Sequence, residues 1–202
     1  MFGLENKIPN KYEVLNIYLY GSKVYGCNPT GDNDYIVVVE GQNIEEQLIS
    51  NDDDFTLYSK DVFQQKIDSH DISILECIFL PKDKILQEKH KFSFELNLEN
   101  LRKEASSKSS NSFVKCKKKL MSNEERDIYI GKKSLFHSLR IIMFAIQIAK
   151  FQKIIDYAEA NDYWEEIVYN EINDWDFYKK KYQPILNSLT TEFRKLAPKR
   201  TS

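Results

Sequence analysis

The sequence predicts an α+β fold in which a small mixed β-sheet core is followed by a C-terminal helical lobe. Three segments, 14–20, 35–39 and 55–59, have the apolar and β-branched composition of strands. In the second half of the chain these strand patterns stop and helical periodicity replaces them. We therefore expect two domains, a sheet-containing core at residues 1–95 and a helical domain at residues 96–202.

The sheet core is predicted from the three apolar segments in turn. "VLNIYLY" (14–20) reads as a strand that ends at Gly21. "YIVVV" (35–39) is a continuous run of the kind found in a central strand that is buried on both faces. "FTLYS" (55–59) is a third, short strand, and it follows the loop "ISNDDD".

Helical patterns begin inside the first domain. Asp71 is a suitable N-cap for a helix that carries Ile72, Leu75 and Phe79 near helical spacing and stops at Pro81. Glu76 falls within this apolar helix. Because a buried, unpaired carboxylate is costly, we expect Glu76 to have a hydrogen-bond partner or to reach solvent. In the second domain a long helical pattern covers residues 126–151, and shorter ones follow it.

The composition indicates a packed protein with no strong overall charge. Of 202 residues, 42% are hydrophobic and 30% are charged, and the formal net charge is -2. The three cysteines are far apart and lack a Cys-x-x-Cys spacing, which favours reduced thiols and excludes a zinc site. We find no signal peptide, and no apolar run that approaches the roughly 18 to 20 residues needed to cross a bilayer. We therefore expect a cytoplasmic protein with no membrane partner.

Two carboxylates stand at the start of the most hydrophobic predicted strand. Asp32 and Asp34 are two residues apart, so on a strand they face the same side, with Asn33 turned away. Such carboxylates repel each other unless a cation lies between them. Mg²⁺ is commonly held by one or two carboxylates together with substrate phosphates. Asp54, just before the next strand, is placed to be a third ligand.

A glycine-serine pair lies ten residues upstream of these carboxylates. Gly21 ends the first strand, and a glycine at such a turn lets backbone N–H groups approach an anion. Ser22 adds a hydroxyl donor, and a helix that starts there would direct its positive end at a phosphate. The sequence therefore predicts a phosphate-binding turn beside a metal site. This pairing suits phosphoryl or nucleotidyl transfer.

These motifs resemble those of a known superfamily. "GSKVYGCNPTGDNDYIVVV" is similar to the signature of the DNA polymerase beta-like nucleotidyltransferases, which have Gly-Ser, a further glycine, and Asp-x-Asp leading into an apolar strand. More narrowly, "DFTLYSKDVF" and "ISILECIFLP" resemble segments of predicted bacterial and phage nucleotidyltransferases. That group also has a helix with Lys, His and Arg at the spacing of Lys133, His137 and Arg140.

The resemblance implies a nucleotidyltransferase that depends on Mg²⁺ or Mn²⁺. It would move a nucleoside monophosphate from a nucleoside triphosphate to an acceptor hydroxyl and release pyrophosphate. RNA, a protein side chain and a small molecule all remain open as acceptors. The implied catalytic and metal-binding residues are Asp32, Asp34 and Asp54, and the implied nucleotide-binding residues are Gly21, Ser22, Lys133, His137 and Arg140.

Simpler interpretations of the acidic residues stay open. Asp32 and Asp34 could belong to a polar turn, since aspartate and glycine are common turn residues. Asp54 could lie in an exposed acidic loop, and Asp52 and Asp53 compete with it as the third carboxylate. The same fold could also serve as a non-catalytic nucleotide-binding or antitoxin-like module.

The basic residues have alternatives of their own. Residues 102–119 contain seven Lys or Arg against one Glu, which suits an RNA-binding protein, a solvated helix, or a loop that orders around the substrate. Lys133, His137 and Arg140 share one helix face, which could be a cationic nucleotide-binding face or a solvated polar stripe. On another face of that helix we expect buried apolar residues, namely Leu135, Leu139, Ile142 and Ile146. His137 is a second choice as general base, after Asp54.

Overall fold

The computed structural model describes residues 4, 7–28, 31–50, 53–122 and 124–199. It has the predicted α+β architecture, with a five-stranded mixed sheet and a C-terminal helical region. The chain divides into two compact units, Met1–Glu95 and Leu96–Ser202.

The first unit contains the sheet. Its strands are β1 (Val14–Tyr20), β2 (Asn33–Val39), β3 (Glu45–Ser50), β4 (Asp53–Ser59) and β5 (Ile85–Glu88). Their order in the sheet is β3-β4-β2-β1-β5. β2 pairs in parallel with β4, and the other neighbouring pairs are antiparallel. The helices of this unit are α1 (Ser22–Tyr25), α2 (Lys60–Asp68) and α3 (Ile72–Ile78), followed by a 3₁₀ turn at Lys82–Lys84.

Both faces of β2 are covered, as its β-branched composition predicts. On one face Tyr35, Val37 and Val39 belong to an apolar cluster that also contains Phe55 and Leu57. On the other face lie Ile36 and Val38, which are also buried. There the ring of Tyr18 stacks on Phe63 of α2, with 5.7 Å between ring centroids. β2 is therefore buried between two packed layers from Tyr35 to Val39, while its first two residues, Asn33 and Asp34, are half-buried.

The strand predictions differ from the structure in number and length. β1 has the predicted bounds, but β2 and β4 each begin two residues earlier than predicted, so that Asp34 and Asp54 lie inside strands. β3 and β5 were not predicted. β3 lies at the edge of the sheet and exposes most of its side chains, so it lacks the apolar pattern of a buried strand.

The helix predicted after Asp71 is confirmed. The Asp71 carboxylate accepts a hydrogen bond from the backbone N–H of Ser73 at 2.9 Å, as an N-cap does. The helix ends at Ile78, one turn earlier than the predicted stop at Pro81.

The second unit is helical. It contains α4 (Leu98–Leu120), α5 (Glu125–Phe151), α6 (Asn161–Val168) and α7 (Trp175–Leu196). α5 packs against all three of the others. The four apolar residues predicted to be buried on α5 are buried: Leu135, Leu139, Ile142 and Ile146.

The basic segment 102–119 is part of an unbroken helix, so the alternative that part of it forms a loop is wrong. Within α4, Leu101, Ala105 and Cys116 are fully buried at helical spacing. The serines that suggested a loop fit the helix as well. Ser109 is buried, and its hydroxyl donates to the backbone carbonyl oxygen of Ser138 in α5 at 2.8 Å.

One described helix, α5, is long and apolar enough to cross a membrane by length and composition. The expectation that no segment reaches this length is therefore wrong. Of its most apolar 18-residue window, 78% is buried inside the protein. This is the burial pattern of a core helix, and such a helix passes the same test of length and composition.

Candidate metal and nucleotide site

The parallel pairing of β2 with β4 aligns two of the predicted aspartates. Asp34 lies opposite Asp54, and Asn33 lies opposite Asp53. Side chains opposite each other on neighbouring strands point to the same side, and such strands lie about 4.8 Å apart. Asp34 and Asp54 therefore project together from one face of the sheet, at the beginning of both strands.

Asp32 lies outside the strand. It is exposed and immediately precedes β2, so its separation from Asp34 is not set by strand geometry. Among the residues that the structure describes, no group of three or more His, Cys, Asp or Glu side chains is arranged to hold a metal ion. The structure thus aligns Asp34 with Asp54, while the place of Asp32 beside them stays a prediction.

Asp53, a rival for the third carboxylate, is engaged on the opposite face. It is only 3% exposed, it is paired with the ammonium of Lys7, and it accepts a hydrogen bond from Asn33 Nδ2 at 2.7 Å. Burial raises the pKa of Asp53, but the bonds from Lys7 and Asn33 outweigh burial and leave the pKa below its usual value. Asp52, the other rival, lies outside the described residues.

Gly21 brings the predicted phosphate turn against Asp34. Its backbone has φ 78° and ψ -156°, a conformation that is essentially restricted to glycine. A Cβ atom at this position would collide with the Asp34 carboxylate and would lie 3.1 Å from its Cγ. The carboxylate therefore occupies the space that any other residue at position 21 would fill.

Ser22 begins a helix of a single turn. Because α1 has four residues, it is too short to provide the helix dipole that was expected to favour a phosphate. A Cβ on Gly31 would lie 3.4 Å from Ser22 Oγ, so the backbone at Gly31 passes close to this hydroxyl. The turn residues Pro29 and Thr30 lie outside the described residues.

Glu76 has the partner that its burial requires. Its side chain in α3 accepts a hydrogen bond from the hydroxyl of Tyr25, the last residue of α1. Both residues are 2% exposed. The prediction of a structural hydrogen bond is confirmed, and the bond ties the short helix after Gly21 to α3.

The three basic residues predicted for nucleotide binding lie on α5, in the second unit. Arg140 is 3% exposed, and its guanidinium lies 5.7 Å from the ring centroid of Phe136 and 5.5 Å from that of Phe144. The ammonium of Lys133 lies 5.4 Å from the ring centroid of Tyr129. Because Arg140 is buried, the alternative of a solvated polar stripe is wrong for this residue.

His137 is surrounded by positive charge. Its Nδ1 atom is buried and has no hydrogen-bond partner among the described residues. Burial, and then the charges of Arg140, Lys133 and Lys115, hold the pKa of His137 well below its usual value. The imidazole is thus neutral at pH 7 and is a weak base. Lys115 lies on α4, within the basic segment. Nothing in the surrounding sequence distinguishes it from the other lysines of that segment.

Comparisons with known proteins add little to this site. No protein-family model matches the chain, and no curated protein matches it. Among solved structures, the chain is similar to a nucleotidyltransferase-like protein from Exiguobacterium sibiricum. The identity is 11%, the match covers 92% of this chain and 69% of that one, and the TM-score is 0.31. At that identity and TM-score the likeness carries no argument about activity.

Proposed function

We propose that this protein is a metal-dependent nucleotidyltransferase. The observation that carries the proposal is the in-register pair of Asp34 and Asp54, with the Asp34 carboxylate against the backbone of Gly21. Two carboxylates on adjacent strands repel each other, and a divalent cation between them relieves the repulsion. The missing Cβ of Gly21 lets the Asp34 carboxylate come this close to the turn, so a phosphate bound to the cation would lie beside the backbone of the same turn.

The chemistry of these side chains fits Mg²⁺ or Mn²⁺. Both ions accept oxygen ligands, and Mg²⁺ is usually held by one or two carboxylates while substrate phosphates complete its coordination. Asp34 and Asp54 meet this requirement as a pair, and we propose Asp32 as a third ligand. When bound, the ion would neutralise charge on the triphosphate.

The proposed reaction passes a nucleoside monophosphate to an acceptor hydroxyl. The hydroxyl oxygen forms a bond to the α-phosphorus as the bond to the β-phosphate oxygen breaks, and pyrophosphate leaves. We assign Asp54 to accept the hydroxyl proton, since it is exposed at the start of β4 and is free of the core packing that encloses Asp53. Gly21 and Ser22 would bind phosphate through the backbone and the hydroxyl.

The basic residues of α5 are proposed to bind the nucleotide. Lys133 and Arg140 would contribute positive charge that attracts the phosphate oxygens. Because His137 is neutral at pH 7, its assigned role is a hydrogen bond to the nucleotide rather than a charge or general base catalysis.

The direct test supplies each of the four α-labelled nucleoside triphosphates together with RNA, protein and small-molecule fractions of a cell extract. We expect one fraction to take the label, only when Mg²⁺ or Mn²⁺ is present. Asp34→Asn and Asp54→Asn should each reduce transfer by about 100-fold or more. Asp83→Asn is the matched control, because the Asp83 side chain is 71% exposed and lies in the 3₁₀ turn.

Two results would contradict the proposal. Transfer that continues at the wild-type rate in Asp34→Asn would exclude this carboxylate from the reaction. Metal-dependent nucleotide binding by the wild type, without transfer to any fraction, would favour the non-catalytic nucleotide-binding module instead.

A further inference from the structure

A chain of hydrogen bonds runs across the sheet on the face opposite Asp34. The ammonium of Lys23, in α1, donates to Asn33 Oδ1 at 2.5 Å. Asn33 Nδ2 in turn donates to Asp53 Oδ1 at 2.7 Å, and the ammonium of Lys7 pairs with Asp53 Oδ2. These bonds connect the segment before β1, the helix after Gly21 and the first residues of β2 and β4.

The residue between the two predicted metal-binding aspartates is chemically restricted by this network. Asn33 must accept from the Lys23 ammonium and donate to the Asp53 carboxylate. An amide does both, whereas a carboxylate cannot donate and an apolar side chain can do neither. Asn33 is therefore a bridge between a cation and a buried anion, and it is not an interchangeable spacer.

The network lies at one end of the apolar cluster on this face of the sheet. Asp53 is 3% exposed, and a buried carboxylate that loses a partner is strongly destabilising. The next residues of the two strands on this face, Tyr35 and Phe55, stack with 5.1 Å between ring centroids. The first residues of β2 and β4 are thus held by polar bonds immediately beside a rigid aromatic pair.

We propose that this network is a positioning clamp that aligns Asp34 with Asp54 and holds the Gly21 turn against them. The clamp consists of Lys7, Lys23, Asn33 and Asp53. Fixing Asn33 on one face of β2 fixes Asp34 on the other, because side chains alternate along a strand. The bond from Lys23 fixes α1, and α1 directly follows Gly21. The proposal rests on the proposed function, since it assigns the clamp to that metal-binding pair.

Asn33→Leu is the main test, because leucine is close to asparagine in size and makes neither hydrogen bond. We expect Mn²⁺ to bind at least tenfold more weakly, which is the range found when partners that orient metal ligands are removed. Lys60→Met is the matched control. It removes a Lys60–Glu40 ion pair of 2.8 Å at the opposite end of the same two strands, and should leave Mn²⁺ affinity unchanged.

A second readout follows the glycine turn without metal or activity. The backbone N–H of Val24 donates to the carbonyl of Gly21, and that of Gly26 donates to the carbonyl of Ser22, each at 3.0 Å. We expect hydrogen exchange at both amides to accelerate in Asn33→Leu and in Lys23→Met, and not in Lys60→Met. Lys23→Met leaves the buried Asp53–Lys7 pair intact, so it remains informative if Asn33→Leu fails to fold.

The outcomes separate the clamp from the proposed function. Weaker Mn²⁺ binding together with faster exchange at Val24 and Gly26 supports the clamp. If the wild type binds no Mn²⁺ and transfers no nucleotide, the proposed function fails. Faster exchange in both clamp variants would then still support its action on the turn. If hydrogen exchange at Val24 and Gly26 and the Mn²⁺ affinity both match the wild type in the clamp variants, the clamp is contradicted. If hydrogen exchange is faster but the Mn²⁺ affinity is unchanged, the role of the clamp in aligning Asp34 is contradicted.

Discussion

Gly21 is the single residue on which the geometry of the candidate site depends most. Gly21→Ala places a methyl group where the Asp34 carboxylate lies, and the backbone conformation alone costs about 1–3 kcal/mol for a residue with a side chain. We expect a lower free energy of unfolding in urea, and weaker Mn²⁺ binding because Asp34 is displaced.

Gly26 offers the matched control for this substitution. It also has a positive φ, of 79°, but a Cβ there meets no atom within 4 Å. Gly26→Ala should therefore cost about 1–2 kcal/mol of stability from the backbone alone and should leave Mn²⁺ affinity at the wild-type value. Equal Mn²⁺ affinities in the two variants would mean that the contact with Asp34 has no bearing on metal binding.

The lowered pKa of His137 predicts that the free energy of unfolding depends on pH. In the folded protein its pKa lies well below 6.5, because of burial and then because of Arg140, Lys133 and Lys115. The unfolded chain therefore takes up this proton first as the pH falls. The stability contributed by neutral His137 is fully present above pH 6.5 and is lost progressively below it.

The test compares the free energy of unfolding at pH 7 and at pH 5 in the wild type and in His137→Leu. The wild type should lose more stability over this interval than the variant, because leucine takes up no proton. His70, whose pKa is also lowered mainly by burial, is present in both proteins, so its share of the pH dependence cancels. Equal losses in the two proteins would show that His137 does not titrate as expected.

The sequence was sufficient to locate the aligned carboxylates but not the bonds that support them. The Asp-x-Asp spacing and the apolar run placed Asp34 immediately before a strand at 35–39, and the structure extends that strand to Asn33, so that Asp34 lies within it. The pairing of Lys7 with Asp53 joins residues 46 positions apart, and no local pattern marks it. The same holds for the bond from Tyr25 to Glu76, where burial predicted that a partner exists but not which residue it is.

At the scale of elements, close packing of α4 against α5 depends on Gly131. A Cβ at this position would lie 3.2 Å from Leu120 Cγ and 3.3 Å from the carbonyl oxygen of Cys116. The backbone oxygen cannot move away without shifting α4. We expect Gly131→Val to lower the free energy of unfolding by about 1–3 kcal/mol, as overpacking of a core does.

Ser110→Val serves as the control for Gly131→Val, since Ser110 is exposed on α4. It introduces the same side chain into a helix but should change stability by less than about 0.5 kcal/mol. A Gly131→Val variant as stable as the wild type would indicate that the two helices are farther apart than described.

The sequence marked those strands and helices that bury much apolar surface, and it did not mark those that bury little. β1, β2 and α5 have clear apolar patterns and were recognised. β3 exposes Glu45 and Gln47 at the sheet edge, and β5 has only four residues, so neither has enough apolar periodicity to mark it. The error at α4 was of the opposite kind. Its serines suggested a loop where the structure has a helix, because small side chains suit close helix packing as well as loops.

For the whole molecule, the division into two compact units predicts that the helical part folds alone. Residues 96–202 contain α5 together with the helices that pack against it. We expect this fragment to be helical by circular dichroism and to unfold cooperatively in urea. A fragment that binds a hydrophobic dye and unfolds without a cooperative transition would show that α5 needs the first unit.

On the proposed function, Asp34 and Asp54 jointly bind a divalent cation beside the Gly21 turn. The most direct measurement titrates Mn²⁺ into the isotope-labelled protein with a non-hydrolysable nucleoside triphosphate, and records the paramagnetic broadening of backbone amide signals. We predict that broadening centres on Gly21, Asp34 and Asp54 and disappears in Asp34→Asn. Broadening centred on other residues, or unchanged by that substitution, would contradict the account.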